Sequence, residues 1–377
     1  MSDFKPIKIA FMGFENGHAF YLYRACMNEP MFDIVACAFA PRQLKIHENR
    51  LGKKAFENVA IYHSEEQMLN EHPEIEACVL AGSNDKHMEE FRLCAERGIH
   101  VISMKVPTLD MNEYKEMLAL QQKYGIKVHI ELEMRFRAAV NRVRDLISDG
   151  SLGEVTSFTA FNYSHFPHYW QHWMDVAEKS YGKRVPLYPG ADRFRGGALT
   201  DHPHIFDLVR YMTGSEFDTV YAEVAPSMRD DVETEDLIYI IGKLKNGVIV
   251  SLDPSYANRE HVQTRVVGER ISHNPKCVQV EIQVHGTKGS LLCDAYGSDS
   301  VERLLGDNLE YYVTGSGYPL DNNRIPFIKN FARDIRYGGE TNNPPISLKE
   351  YENVMRVINA CYESVYTGKE VKVNYED

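Results

Sequence analysis

From Ile7 to Glu131 the chain alternates short apolar runs with helix-patterned stretches, and no other feature restricts its fold as strongly. Residues 7–12, 33–39, 77–81, 100–103 and 127–131 read as strands buried on both faces. Between them, 18–28, 65–70, 86–97 and 111–124 carry helical periodicity, and Gly98 and Gly125 stand where helices end. Strands joined by crossover helices pair parallel, so the reading is a right-handed, doubly wound α/β domain over residues 1–132.

The pattern changes after Phe136. Residues 138–149 read as an amphipathic helix closed by Gly150. Segments rich in β-branched and aromatic residues follow at 154–163, 219–224, 236–244, 248–254, 278–285 and 290–293. Asn246-Gly247 joins two of them as a hairpin turn, because both residues tolerate positive φ. A second, α+β domain over residues 133–377, with a large, mostly antiparallel open sheet, is therefore expected. Helices at 200–211 and 326–336 fall within it. A last helix, 348–366, able to pack back on the first domain, precedes a short strand at 371–374.

Two domains also suit a length of 377 residues, more than one ordinary core organises. A net charge of −12 argues against a nucleic-acid or anionic-membrane partner. No apolar stretch approaches the ~18–20 residues of a membrane span, and no signal-peptide core precedes the first strand. Seven cysteines without a C-x-x-C pair read as core thiols of a reducing compartment, so a cytoplasmic protein is expected.

Gly13-Phe14-Glu15-Asn16-Gly17-His18 follows the first strand and opens a helix, as a phosphate-binding turn does. Only the first glycine of the dinucleotide fingerprint is present; Glu15 and His18 occupy the other two glycine positions, and Gly17 is offset by one. The second strand ends without the acid that would bond a ribose diol, and Arg42 follows it. Arg42 reads either as a contact for a 2′-phosphate, tilting NAD or NADP towards NADP, or as a solvated loop residue. A second polar stretch is Met104-Lys105-Val106-Pro107, at the carboxyl end of a buried strand, where open α/β sheets bind their ligands. A third runs from Gly196 to Asp207 and contains Asp201, His202 and His204.

With these segments in hand, the chain resembles the Gfo/Idh/MocA oxidoreductases, over nearly its whole length. Ala81-Gly82-Ser83-Asn84-Asp85-Lys86-His87 matches the family loop whose Asn-x-x-His pattern borders the cofactor. Residues 98–107 match the segment ending in Glu-Lys-Pro: Lys105 keeps the lysine, Met104 replaces the glutamate and Val106 is inserted before Pro107. Met134-Arg135-Phe136 resembles the opening of the second domain; residues 150–155, 245–247 and 285–290 match turns of its sheet. His204 and Asp207 hold the family's His and following Asp, while Asp201 lies three residues before His204 rather than four, and His202 replaces a glycine. The resemblance implies a Rossmann domain holding NAD or NADP through Gly13, Phe14, Glu15, Asn16, Gly17, His18, Arg42, Ser83, Asn84, His87 and Lys105. It also implies a substrate cleft between the domains, and a homodimer or homotetramer formed through the outer face of the second sheet.

The chemistry expected is hydride exchange between a nicotinamide and a secondary alcohol of a sugar, inositol or glycoside, within carbohydrate metabolism. A histidine suits removal of the hydroxyl proton near neutral pH, and an ammonium stabilises the developing alkoxide. His204 is assigned as acid/base, Lys105 as polarising group and Asp201 as orienter. Each has a plainer reading: a strand-end lysine, a core histidine and a helix N-cap. Arg135, Tyr163, His165 and Trp173 are candidate substrate contacts. His165, His168, His172, Asp201, His202 and His204 form an alternative metal cluster, which would support a metal-assisted lyase, isomerase or hydrolase with a weakened nucleotide site. A sugar-binding loop is preferred for the first three histidines because Pro167 interrupts a regular helix. A non-catalytic sugar- or nucleotide-binding regulator is a third possibility.

Overall fold

The computed structural model describes the chain except for residues 1–3, 15–17, 41–43, 109, 165–184, 228–231, 257–264, 268–269, 273–277, 297–299, 314–320, 339–344 and 377. Glu15, Asn16, Gly17, Arg42, His165, His168, His172 and Trp173 lie outside the described residues.

The chain begins β1 (Ile7–Met12), α1 (His18–Asn28), β2 (Phe32–Ala38), α2 (Leu44–Leu51), β3 (Ala60–Tyr62), α3 (Glu65–Glu71), β4 (Ala77–Leu80), α4 (His87–Glu96), β5 (His100–Ser103), α5 (Met111–Tyr124) and β6 (Val128–Ile130). Next come α6 (Ala138–Ser148), β7 (Val155–Ser164), α7 (Ala198–Asp201), α8 (His204–Thr213), β8 (Phe217–Val224), β9 (Ile238–Leu244) and β10 (Ile249–Asp253). The strands β11 (Arg265–Val267), β12 (Arg270–Ser272), β13 (Val278–Gly286), β14 (Ser290–Asp294), β15 (Ser300–Leu305) and β16 (Asn308–Val313) follow. The chain ends with α9 (Asp321–Tyr337), β17 (Ile346–Ser347), α10 (Leu348–Thr367) and β18 (Val371–Lys372).

Two compact units result, Met1–Phe136 with Tyr318–Tyr351, and Arg137–Gly317 with Glu352–Asp377. The first is a seven-stranded sheet ordered β17-β6-β5-β4-β1-β2-β3, parallel except for β17. β4 is buried at every position, as a strand covered on both faces must be. Helix α5 shows why these helices start and stop where they do. The Asp110 carboxylate accepts from the Asn112 amide at 2.6 Å, and Gly125, at φ 65°, closes the end by donating to Gln121 O at 2.9 Å.

Helix α9, expected in the second domain, is part of the first unit. Its Phe327, Ile328, Phe331 and Ala332 join one apolar core with β1 and α1. The expected division at residue 132 therefore misses a return of the chain, because an apolar helix face does not by itself specify which sheet it covers. Helix α10 is divided too. Its first turn, through Tyr351, belongs to the first unit, where Leu348 O accepts the Tyr114 hydroxyl.

The second unit is built on a nine-stranded sheet ordered β16-β15-β14-β13-β7-β10-β9-β8-β18, antiparallel except for the β7–β10 pair. Buried and exposed residues alternate strictly along β9, so one face is covered and the other open. The expected hairpin is present: Gly247, at φ 94°, donates to Leu244 O at 2.8 Å. Two strands not foreseen, β15 and β16, turn at Gly306, at φ 56°; the charged residues Glu302, Arg303 and Glu310 interleave with their apolar ones. The expected helix at 200–211 is broken into α7 and α8, since Pro203 has no N–H to carry a helical bond through the junction.

Candidate functional site

In the first unit the candidate residues gather at the carboxyl edge of the parallel sheet. Gly13 follows β1 at φ 71° and donates to Ala38 O, at the end of β2, at 2.7 Å. Phe14, expected to face a nucleotide, is instead buried in an aromatic cluster with Phe11, Phe39 and His47. Helix α1 carries no acidic residue in its own first turn.

The loops after β4 and β5 are tied together. Asn84 donates from Nδ2 to Val106 O, and Met104 N bonds Leu80 O at 3.1 Å. His87 is fully buried; its Nδ1–H donates to Pro107 O at 3.2 Å, and burial pushes the imidazole down to about 4, so the ring is neutral at physiological pH. Ser83 and Asn84 are buried beside it. Lys105 is only 5% exposed, on the loop these bonds hold. A buried ammonium at the end of a central strand is unlike the solvated lysine of the plainer reading.

Arg135 is not presented as an open substrate contact. Its guanidinium is 2% exposed and donates to Glu350 Oε1 at 2.6 Å.

A second cluster in this unit joins His18, the last residue of the glycine-turn motif and an expected cofactor contact, to acids and an arginine that no sequence motif contained. Glu131, just past β6, accepts from His18 Nδ1 at 2.8 Å, and its other oxygen meets Arg324 Nε at 2.8 Å. Glu133 faces the same guanidinium at 3.5 Å. His18, Glu131 and Glu133 bring ligand atoms within 4.8 Å of one another. The charge a cation would supply is already provided by Arg324, whose guanidinium also lies 4.9 Å from the Tyr21 ring centre. Beyond His18, the only sequence signal was an acid closing an apolar run; its partner lies almost two hundred residues away.

In the second unit, Asp201, His202 and His204 are all buried, at 6, 5 and 4% exposure. Tyr256 OH donates to Asp201 Oδ2 at 2.9 Å, so the side chain is oriented by a neighbour rather than spent as a cap. His202 donates from Nδ1 to Pro254 O, and its Nε2 lies 2.9 Å from Ser164 Oγ. Both ring nitrogens are thus engaged, and His202 joins the alternative metal cluster through Nε2 only by giving up its buried bond to Ser164. His204 opens α8, and Asp207 on the same helix lies 3.8 Å from Arg210.

Tyr163 is separated from this group. Along β7, Asn162 and Ser164 point into the covered face, and Tyr163 between them points to the open one. There it stacks on Phe161, with ring centres 4.4 Å apart, and donates to Asp253 Oδ2 at 2.7 Å. Tyr163, named as a candidate substrate contact, thus lies on the open face, and Ser164, one residue on, is the one bonded to His202.

Residues 7–132 match the oxidoreductase family with an NAD-binding Rossmann fold, and residues 140–292 match the GFO/IDH/MocA C-terminal domain. The chain belongs to the Gfo/Idh/MocA oxidoreductase family. Among family members, it is 25% identical over 244 residues to YrbE, an uncharacterized oxidoreductase of Bacillus subtilis (strain 168), covering 62% of this chain and 60% of that protein. It is 22% identical over 313 residues to myo-inositol 2-dehydrogenase of Thermotoga maritima, covering 81% and 82% of the two chains. Levoglucosan dehydrogenase, solved with NADH and levoglucosan, shares the fold with a TM-score of 0.77 at 19% identity, over 99% of this chain and 100% of that one.

The sheet order of the first unit, β3-β2-β1-β4-β5-β6, is that of nucleotide-binding domains. Among the described residues, no helix is long and apolar enough to cross a membrane.

Proposed function

We propose that this Gfo/Idh/MocA protein is a nicotinamide-dependent dehydrogenase acting on a secondary alcohol of a sugar, inositol or anhydrosugar. The observation that carries the assignment is Lys105, a buried ammonium at the carboxyl end of β5 on a loop bonded to Asn84 and His87. Gly13 and the start of α1 would hold the pyrophosphate, with Ser83, Asn84 and Lys105 bordering the nicotinamide end. When bound, the nicotinamide supplies or receives the hydride. Lys105 polarises the substrate oxygen, His204 takes or returns its proton, and Asp201, oriented by Tyr256, steadies the imidazole.

NADP is the preferred coenzyme in this reading. The end of β2 runs Ala38-Phe39-Ala40 and offers no carboxylate to bond a ribose diol or repel a 2′-phosphate. The six described cysteines are all buried free thiols, in keeping with a reducing, cytoplasmic setting. The open face of the second sheet exposes Tyr239, Ile241, Ile249, Leu292, Leu309 and Tyr311, a patch suited to a second copy of the chain.

Titration with NAD⁺, NADH, NADP⁺ and NADPH tests the assignment, followed by a coupled screen over myo-inositol, aldoses and anhydrosugars. Binding of a nicotinamide nucleotide with turnover of at least one alcohol is expected. Absence of binding to all four sinks it.

A further inference from the structure

The segment that carries Asp201 and His204 is fastened at its start by one acidic residue. Glu235 stands just before β9 and is completely buried. Its Oε1 accepts from Gly197 N at 3.0 Å, from Leu199 N at 3.2 Å and from Tyr362 OH at 2.7 Å. The same tyrosine oxygen accepts from Gly196 N at 3.0 Å, and Glu235 O accepts from Ala198 N at 2.9 Å. The amides of four consecutive residues, Gly196 to Leu199, are thereby gathered by Glu235 and Tyr362.

The fit leaves no slack. A Cβ on Gly197 would lie 2.0 Å from Glu235 O, so the segment reaches the carboxylate only because that residue is glycine. Two residues past Leu199 comes Asp201, and His204 follows at the head of α8.

An acid is a costly choice for this task. The Oε2 of Glu235 meets no donor among the described residues, and burial pushes the carboxyl up to about 7, although its three donors favour the ionised form. A glutamine would accept the same bonds without burying a charge.

We propose that Glu235, seconded by Tyr362, is the positioning residue that sets the place of Asp201 and His204 during turnover; this rests on the dehydrogenase reading above. Glu235 touches neither substrate nor coenzyme. It acts by holding the start of the turn from which both side chains are delivered.

The test uses the full chain and four proteins: wild type, Glu235→Gln, Glu235→Ala and Tyr362→Phe. Amide hydrogen exchange reads the pin directly. Gly197 and Leu199 are expected to exchange faster in Glu235→Ala, Gly196 faster in Tyr362→Phe, and Glu235→Gln is expected to stay near wild type. A misplaced acid/base costs about 10²-fold, so kcat of Glu235→Ala falls by that order, while NADPH affinity stays within about twofold. Glu235→Gln recovers kcat to within about tenfold of wild type, because its carbonyl keeps the acceptor. If Glu235→Ala does not fold, faster exchange at Gly196 and lowered kcat in Tyr362→Phe carry the proposal. Unchanged exchange overturns it, and so does an unchanged kcat per folded molecule with only the melting temperature lowered. If wild type turns over no alcohol in the screen, the dehydrogenase reading fails, and exchange alone then decides whether Glu235 pins the turn.

Discussion

In the first unit two polar side chains on the loops after β4 and β5 are held by main-chain carbonyls: Asn84 by Val106 and His87 by Pro107. In the second, Asp201 and His202 are held largely by side chains sent from distant strands and loops, Tyr256 and Ser164. Carbonyl anchors come with the loop, whatever its side chains, so such a site survives substitution of its surroundings. Side-chain anchors are specific, and each can be removed by one exchange. The anchors of Asn84 and His87 are therefore robust and those of Asp201 and His202 fragile.

The strongest way to break this comparison is to delete the two chemical groups. Lys105→Ala and His204→Ala should each lower kcat by about 10²–10⁴-fold on the alcohol found by screening, with the folded fraction unchanged. Retention of kcat within tenfold by either variant removes that residue from the chemistry.

Next in size is a stability effect confined to the first unit. Arg324→Met leaves the buried Glu131 and Glu133 without their guanidinium and should cost about 3–5 kcal/mol in urea unfolding. Adding Glu131→Gln and Glu133→Gln should restore part of that loss, because the buried charges then vanish. No recovery would mean that Arg324 acts through packing.

A pH effect separates the second unit from the first. The Glu235 carboxyl is raised from 4.5 to about 7, so the native state holds that proton more tightly than the unfolded chain. The extra stability is complete below pH 4.5 and is lost as pH rises through 7. At 1.36 kcal/mol per pKa unit it is on the order of 3 kcal/mol. Wild type should lose stability relative to Glu235→Gln across that window, and parallel curves would contradict the assignment. His87 has the opposite sign: its pKa is lowered from 6.5 to about 4, so its contribution is present above 6.5 and lost as pH falls through 4.

Smaller effects sharpen the distinction between the two faces of the second sheet. Ile241→Arg, on β9 within the exposed patch, should weaken self-association about tenfold or more in sedimentation, with nucleotide affinity intact. Tyr163→Phe should change kcat by less than about threefold, since its hydroxyl bonds Asp253 on the open face. A large loss there would return Tyr163 to the substrate site.

Much of the parallel sheet was legible because its strands are short apolar runs with glycine at helix ends; β1, α1, β5 and α5 match to the residue. The position of Lys105 just past β5 was legible for the same reason: its strand is unmistakable. The supporting residues were not. Glu235, Tyr256, Tyr362 and Arg324 act across long separations, which no local periodicity encodes. Tyr163 shows the finer limit. The strand was recognised, but which face each residue took depended on a register that Ser164, one position beyond the expected end, makes clear.

The division of the first unit into two stretches has a consequence for synthesis on the ribosome. Glu131 and Glu133 emerge early, but Arg324 and the rest of α9 follow only after the whole intervening unit has been made. At about 5–20 residues per second, the nascent parallel sheet waits roughly 10–40 s with two acids uncompensated and one apolar flank bare. By the time that helix begins to emerge, the second unit, although later in the chain, has a larger share of its own sequence available to it than the first.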